Sequence, residues 1–274
     1  MDRMKSMQIY YFSGTGNTLH LAQELQKRFP EAELIAIVSA MQSGQLKSTA
    51  DTIGLLFPIY NFSLPPVYKR FLEQVNLSSA EYIFALSSRF CLERVFSGLD
   101  KHLARQGKAL NAAFSMEMPC NYIPMFDVPL QEEIDRMESD MREEMDEIQT
   151  TITNRETALQ KDELPLKIVG SILYPIVTTY MGKIRLPNMT KSFYTDDTCT
   201  GCGICQNICL TERITLVNGR PQWNTDADCF MCFACLCYCP ENAIQLKGRK
   251  TEGKPRYHHA NIKSGEIARQ KNTQ

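Results

Sequence analysis

The first half of the chain alternates short apolar runs with amphipathic segments. This alternation, from residue 8 to residue 118, is typical of repeated βα units around a parallel sheet. The apolar runs predict strands at residues 8–12, 33–38, 52–57, 82–86 and 111–116. Apolar residues at helical spacing predict helices at residues 18–28, 66–75 and 93–106. We therefore expect an α/β domain in which helices cover both faces of a five-stranded parallel sheet.

Residues 131–161 have a different pattern, which predicts one long amphipathic helix. One stripe is apolar, and its members are Ile134, Met137, Met141, Met145, Ile148 and Ile152. Such a stripe predicts packing against the core. The other face is acidic, with nine Asp or Glu residues between positions 132 and 147. It is either plain solvated surface or an electrostatic docking face for a redox partner.

Composition narrows the class of protein. The chain has 274 residues, enough for about two domains of roughly 150 residues each. Hydrophobic residues make up 43% and charged residues 22%, so neither wholesale disorder nor a polytopic membrane protein fits. The net charge of -1 argues against a protein that chiefly binds nucleic acid. The first residues show no apolar signal region, which predicts a cytoplasmic location.

Two later segments lie outside these patterns. Residues 168–182 are apolar and flanked by Lys167 and Lys183. They are shorter than the ~18 residues of a membrane-spanning helix, so a packed linker helix is the favoured interpretation and membrane contact the less favoured one. Residues 247–271 are rich in Lys and Arg and predict a mobile basic tail.

The cysteines are concentrated in one segment, with nine of the eleven between positions 199 and 239. A C-x2-C-x2-C-x3-C run occurs twice, thirty residues apart, at Cys199, Cys202, Cys205 and Cys209 and again at Cys229, Cys232, Cys235 and Cys239. Apolar residues repeat at the same offset, which indicates that a whole half-domain is duplicated. Two C-x2-C pairs are also able to form a tetrahedral zinc site. Third and fourth cysteines at fixed spacing, twice, have no use in a single zinc site, so iron–sulfur ligation is favoured.

This segment resembles the bacterial two-cluster [4Fe-4S] ferredoxins, whose run ends in Cys-Pro as Cys239-Pro240 does here. The resemblance implies two crossed ligand sets. One set is Cys199, Cys202, Cys205 and Cys239, and the other is Cys229, Cys232, Cys235 and Cys209. The first half departs from the pattern with Leu210 in place of proline, and the second carries Phe230-Met231 and Phe233 where the first has Thr200-Gly201 and Gly203. Cys237 has no ligand role in the pattern.

A glycine-rich turn follows the first predicted strand and precedes a predicted helix. Its residues are Ser13, Gly14, Thr15, Gly16, Asn17 and Thr18. Backbone N–H groups, hydroxyls and a helix N-terminus together favour binding of one phosphate. The turn lacks the lysine of a P-loop and the third glycine of a dinucleotide loop. It resembles the FMN-phosphate loop of flavodoxins, which implies a sheet in the order 2-1-3-4-5.

The same resemblance directs attention to the loops after strands three and four. Tyr60 stands where flavodoxins stack an aromatic residue on the flavin ring. Phe90 is either a second stacking residue or part of the core, and Arg89 either meets the pyrimidine edge of the ring or lies at the surface. Cys120 is expected to pack within the protein rather than to take part in chemistry. The four histidines form no recognisable set and are assigned no role.

The order of segments is similar to that of the flavodoxin/ferredoxin fusion proteins of anaerobes, the EFR1-type ferredoxins. We expect a flavodoxin-like FMN-binding domain at residues 1–128, an acidic helix and apolar linker at 129–192, a two-[4Fe-4S] ferredoxin domain at 193–248, and a basic tail at 249–274. The resemblance implies electron transfer between FMN, two clusters and an external redox protein. Two alternatives stay open, namely a flavin-dependent reductase of a small organic acceptor, and a regulatory or scaffold protein with a degenerate flavin site.

Overall fold

A six-stranded parallel sheet forms the centre of the N-terminal domain. The computed structural model describes residues 6–61, 63–89, 95–159, 179–180 and 186–271. The strands are β1 (Met7–Tyr11), β2 (Glu33–Ala36), β3 (Thr52–Pro58), β4 (Tyr82–Arg89), β5 (Ala112–Glu117) and β6 (Ala158–Leu159). Their order is β2-β1-β3-β4-β5-β6, and all neighbours are parallel. The predicted α/β class and flavodoxin-like order 2-1-3-4-5 are confirmed; the two-residue strand β6, which adds to the edge beside β5, was not predicted.

Helices cover both faces of this sheet. They are α1 (Asn17–Arg28), α2 (Ile37–Ser43), α3 (Pro66–Gln74), α4 (Phe96–Ala104) and α5 (Gln131–Thr153). Helix α2 was not predicted, because its first residues, the buried apolar Ile37 and Val38, continue the apolar run of β2 and were read as strand. The predicted start of the fourth helix, at residue 93, lies outside the described residues.

Helix α5 is shorter than predicted. It ends at Thr153 rather than at residue 161, because Asn154 caps it and Arg155 turns into the left-handed region with φ 51°. The chain then enters β6. The predicted core-facing stripe is confirmed for Met137, Met141, Met145, Ile148 and Ile152, which are all buried, whereas Ile134 near the start of the helix is only partly buried.

The cysteine-containing unit is built from two short antiparallel sheets of two strands each and small helices. Its elements are α6 (Leu186–Thr190), β7 (Phe193–Thr195), α7 (Ile204–Ile208), β8 (Ile214–Val217), β9 (Arg220–Trp223), α8 (Ala234–Cys237) and β10 (Ile244–Leu246). Strand β10 pairs with β7, and β8 pairs with β9. The repeated apolar residues therefore start equivalent strands, β8 and β10, in the two halves.

This unit packs on the edge of the sheet where the parallel strands end, the edge at which doubly wound folds bind ligands. The ring of Phe230 lies edge-on to Phe12, just after β1, with centroids 5.8 Å apart. The guanidinium of Arg70 lies 5.4 Å from the centroid of Phe230. Leu210 joins the core on one face of the sheet and Ile208 the core on the other.

The end of the described chain is folded onto the same edge. It contains α9 (Ser264–Ala268) and a 3-10 turn at Arg269–Lys271. The prediction of a mobile basic tail is wrong for these residues, because Ile262 and Ile267 are 1% and 0% exposed and pack into the core beside α1. We call residues 257–271 the C-terminal cover.

The apolar linker predicted at residues 168–182 falls outside the described residues except for positions 179 and 180. Among the helices that the structure describes, none is both long enough and apolar enough to cross a membrane.

Candidate functional site

The eight repeated cysteines gather into two separate cavities. One is lined by Cys199, Cys202, Cys205 and Cys239, and the other by Cys209, Cys229, Cys232 and Cys235. We call these the first and second cysteine sets. In each set three cysteines come from one half of the repeat and the fourth from the other half. The fold therefore brings together the same groups of four that the ferredoxin resemblance implies.

The loops of the two sets share an unusual backbone. Gly201 and Gly203 in the first loop have φ of 70° and 81°, in the left-handed region. Met231 and Phe233, thirty residues later, have φ of 52° and 57°. Left-handed turns at these positions direct successive cysteines of each loop towards one cavity, so the local conformation of the ligand loops is duplicated along with their sequence spacing.

Burial raises the pKa of several thiols in these cavities. It raises the pKa of Cys205 to about 11 and, more strongly, the pKa of Cys232 and Cys235. Thiols alone would stay protonated there. Since metals bind cysteine as thiolate, loading either cavity with a metal centre must release protons.

A buried arginine lies beside the second set. Arg213 is 2% exposed and lines that cavity, and its Nη2 donates to the carbonyl of Thr190 at 3.0 Å. Its Nε and Nη1 find no hydrogen-bond partner among the described residues. Burial raises the pKa of the neighbouring Cys229 thiol, and Arg213 opposes that effect. A buried cation without full compensation is costly, so an anionic metal–thiolate centre fits this cavity.

The first set has a similar neighbour in Arg256. Its Nη2 donates to Gln245 Oε1 at 3.0 Å, while Nε and Nη1 have no partner among the described residues. Burial lowers the pKa of this guanidinium, and the thiols of Cys237 and Cys239 act in the opposite direction. Arg213 lines the second cavity, whereas Arg256 is not among the residues that line the first and interacts with its Cys239 thiol through charge. Each cavity provides four cysteines, a donor set that permits an iron–sulfur cluster.

The remaining cysteines lie apart from these sets. Cys237 is buried and lines neither cavity, and burial raises the pKa of its thiol to about 12. Cys120 is buried, in agreement with the packing role expected for it. Cys91 lies outside the described residues.

The predicted phosphate loop has its expected position between β1 and α1, but it is buried. Gly16 caps α1 with φ 104°, and Thr18 Oγ1 lies 2.7 Å from Ser88 Oγ. Asn17 donates to the carbonyl of Pro119 at 3.0 Å, and the hydroxyl of Thr15 accepts from the Asn121 amide. The side chains of Thr15, Asn17 and Thr18 are therefore engaged within the protein, whereas Ser13 Oγ is buried without a hydrogen-bond partner among the described residues.

The C-terminal cover closes one side of this loop. Gln270 is fully buried; its Oε1 accepts from the backbone N–H of Ser13 at 2.9 Å and its Nε2 donates to the Ser13 carbonyl at 2.8 Å. The backbone N–H of His259 donates to the carbonyl of Thr15 at 2.8 Å. A Cβ placed on Gly16 would lie 2.8 Å from His259 Cβ, so the two segments are in direct contact.

The second cysteine set closes the other side. A Cβ placed on Gly14 would lie 2.3 Å from the carbonyl oxygen of Cys232 and 3.0 Å from the Tyr60 hydroxyl. Gly14 and Gly16 allow the close backbone approach that is typical of phosphate loops. Here the groups that approach them are Cys232 and His259 rather than a ligand. The phosphate of FMN does not fit the loop in this arrangement.

The predicted ring contacts give a mixed result. Tyr60 lies beside the second cysteine set, and burial raises the pKa of its hydroxyl, with a further contribution from the thiols of Cys232 and Cys229. Arg89 ends β4 and is half-buried. Burial raises the pKa of Glu144, and the charge of Arg89 partly opposes that rise. Phe90 lies outside the described residues, so its two interpretations stay open.

Comparison with known proteins yields matches among solved structures, whereas no protein-family model and no curated protein matches the chain. A rubredoxin oxygen:oxidoreductase from Desulfovibrio gigas has 16% identity and a TM-score of 0.36, over 55% of this chain and 36% of that one. A two-electron reduced flavodoxin of Megasphaera elsdenii has 19% identity and a TM-score of 0.32, over 40% and 84%. A flavodoxin from the domain Archaea has 10% identity and a TM-score of 0.34, over 52% and 99%. Since these TM-scores are below 0.5, the flavodoxin-like assignment depends on the strand order of the sheet.

Proposed function

We propose that this protein transfers single electrons through two [4Fe-4S] clusters, one held by each cysteine set, to or from an external redox protein. The observation that carries the proposal is the crossed grouping of eight cysteines into two cavities. The buried Arg213, which lines the second cavity, adds a positive charge there. The chemistry of the donor set supports iron–sulfur clusters over zinc, because each loop places three cysteines at the spacing of cubane ligands. Membership in the fusion family and a cytoplasmic location stay predictions.

The surroundings of the two sets suggest different tasks. Each cluster, when bound, accepts or releases one electron. Cys202 of the first set is exposed, so an external protein is able to approach that cavity closely. The second set is packed between the two units, with Cys232 against Gly14. We infer that electrons enter or leave at the first set, and the acidic face of α5 is a candidate docking face for the partner.

The flavin part of the sequence prediction requires a second arrangement of the chain. FMN would need the C-terminal cover to leave the loop at residues 13–18, because Gln270 occupies the backbone N–H of Ser13 and His259 packs against Gly16. We therefore propose that the flavodoxin-like domain binds FMN only when the cover is displaced. A reductase of small acceptors would need an open pocket at this loop. The contacts of the cover instead favour, as a second candidate, a two-cluster ferredoxin whose flavodoxin-like domain is free of flavin.

Cofactor analysis of the full chain tests this proposal. After anaerobic reconstitution, we expect about eight iron and eight sulfide per chain, and EPR signals of two reduced clusters. A Cys237→Ser variant should match the parent, because Cys237 lines neither cavity. Zinc at the cysteines without iron, or a colourless protein, would contradict the electron-transfer function.

The same preparations decide the role of the flavin. A Gln270→Ala variant, which loses two hydrogen bonds to Ser13, should bind FMN more tightly than the parent, by about tenfold for about 1.4 kcal/mol of lost contacts. A Gln131→Ala variant is the control, because Gln131 is exposed at the start of α5. FMN binding by neither chain would select the flavin-free ferredoxin while leaving the clusters untouched.

A further inference from the structure

The side chains of two histidines and one glutamate meet at a single point. His20 lies in the first turns of α1, Glu138 on α5 and His259 in the C-terminal cover. His20 is 3% and His259 5% exposed, and their rings stack with centroids 3.8 Å apart. The three residues come from distant parts of the sequence, which is why no motif indicated them.

The ligand atoms of these side chains have the separations that a metal ion requires. His20 Nε2 lies 3.2 Å from Glu138 Oε1, and His259 Nε2 lies 3.5 Å from Glu138 Oε2. One candidate ligand atom from each residue lies within 4.8 Å of the others. Neighbouring ligand atoms around a tetrahedral zinc with bonds of 2.0–2.1 Å are about 3.3 Å apart. The two rings are stacked with an interplanar angle of 23°, so one imidazole must rotate out of the stack before both Nε2 atoms face a single ion.

A fourth coordination position is available on the solvent side. His20 and Glu138 line a cavity of about 420 Å³ between α1 and α5. The Arg28 side chain that lines this cavity is paired with carboxylates, since it lies 2.6 Å from Asp146 and 3.1 Å from Glu24. Arg142 lies 3.3 Å from Glu138 Oε1, but its side chain is 66% exposed and free to turn outward. Three protein ligands and an open position are typical of zinc sites that bind a water or an anion.

We propose that His20, Glu138 and His259 bind a divalent transition-metal ion of the zinc type, which fastens the C-terminal cover to α1 and α5. Two imidazoles and one carboxylate suit zinc and its neighbours rather than magnesium or calcium. A bound ion would require each Nε2 to be without a proton, so the single ring proton of each neutral imidazole would lie on Nδ1. Asn261 N–H lies 3.3 Å from Nδ1 of His259, and this long contact opens on loading because Nδ1 then carries the proton.

The site has a consequence for the loop that the cover closes. His259 also donates its backbone N–H to Thr15, so an ion on its side chain holds the cover against residues 13–18. The bound ion would oppose any process that needs the loop open. The ion site itself depends neither on FMN nor on the clusters.

Zinc binding by the full, cluster-loaded chain tests the proposal. With a competing chromophoric chelator, the parent should bind one zinc more per chain than His259→Gln and Glu138→Gln variants. Matched controls are His102→Gln, on α4, and Glu132→Gln, at the exposed start of α5, and both should keep that equivalent. Cysteines that have lost their clusters would take zinc equally in all variants, so the difference of one remains interpretable.

Hydrogen exchange supplies a second measurement. Zinc should slow deuterium uptake of residues 257–271 in the parent and in the controls, and should have no such effect in Glu138→Gln, whose carboxylate is only partly buried and whose fold is expected to survive. Equal zinc stoichiometry in parent and variants, or unchanged exchange of the cover on adding zinc, would show that the three side chains form hydrogen bonds only and would overturn the proposal.

Discussion

The first and second cysteine sets have the same spacing and the same crossed arrangement, but they lie in different surroundings. The first set includes an exposed cysteine, Cys202, and its loop carries small residues. The second set is covered by aromatic and apolar side chains and lies against the flavodoxin-like domain. The comparison teaches that ligand spacing specifies the cavity, whereas the residues between the ligands specify its surroundings.

The backbone of the two loops shows how one conformation accommodates both. A Cβ on Gly201 would lie 2.5 Å from the carbonyl oxygen of Gly219, so the first loop requires glycine. The second loop places Met231 and Phe233 in the same left-handed conformation, which costs about 1–2 kcal/mol for each residue. Both side chains are buried, at 7% and 6% exposure, and full burial of such side chains contributes about 1.5–3 kcal/mol. Burial therefore compensates for the strain in the second loop.

The largest effect should come from breaking the crossed arrangement. Cys239 follows the second loop along the chain but lines the first cavity. A Cys239→Ser variant should therefore lose or convert the cluster at Cys199, Cys202 and Cys205 and leave the other cluster in place. Iron content should fall by up to half, and EPR of the reduced protein should lose one signal.

The matched variant is Cys209→Ser. Cys209 follows the first loop along the chain but lines the second cavity. Its replacement should therefore remove the second cluster and leave the first in place. Loss of the second cluster alone in Cys239→Ser would show that each repeat holds its own cluster, and crossed ligation would be wrong.

A smaller effect should follow from adding one methyl group to the first loop. Gly201→Ala combines a left-handed backbone with a contact of 2.5 Å to a carbonyl oxygen. We expect a loss of roughly 2–4 kcal/mol, measured as a thermal midpoint several degrees lower in the cluster-loaded protein.

Gly219→Ala separates strain from collision, because Gly219 has φ 74° and no atom within 4 Å of its added Cβ. It should cost only about 1 kcal/mol. Met231→Ala in the second loop keeps a Cβ on the left-handed backbone, so the variant should lose only the packing of the Met231 side chain. Equal losses at Gly201 and Gly219 would show that contact with Gly219 does not restrict the first loop.

Local patterns in the sequence predicted most of this fold. The strands and helices of the sheet domain each have their own periodicity, whereas the order of the strands was implied by the resemblance to flavodoxins. The cysteine repeat is visible because only two or three residues separate successive ligands. The short helix α2 was missed because its buried Ile37 and Val38 extend an apolar run, and apolar runs do not distinguish a buried strand from a buried helix.

What the sequence did not predict depends on contacts between distant segments. The basic residues near the end of the chain suggested a mobile tail, yet Ile262, Ile267 and Gln270 anchor it. The phosphate loop has the right residues at the right position, but its contact with Gln270 joins two ends of the chain. His20 and His259 meet for the same reason. No local pattern reports such contacts.

The smallest effect, and the one that most sharpens the comparison, concerns Arg213 and Arg256. Arg213 lies beside the second set and is 2% exposed, so its charge is little screened. An Arg213→Leu variant should make the second cluster harder to reduce, because the negative charge of the added electron loses the stabilisation of a buried cation that lines the cavity. We expect its potential to fall by roughly 60 mV, about a tenfold change for one electron. Arg213→Lys, which keeps the charge, should restore most of the potential.

Arg256→Leu is the reciprocal test, because Arg256 interacts with Cys239 of the first set. It should lower the potential of the first cluster and leave the second unchanged, as measured by EPR-monitored redox titration of each variant. If Arg213→Leu shifted both clusters equally, or neither, the two cavities would not be tuned separately. The different surroundings of the two sets would then matter for packing and access but not for the driving force of electron transfer between them.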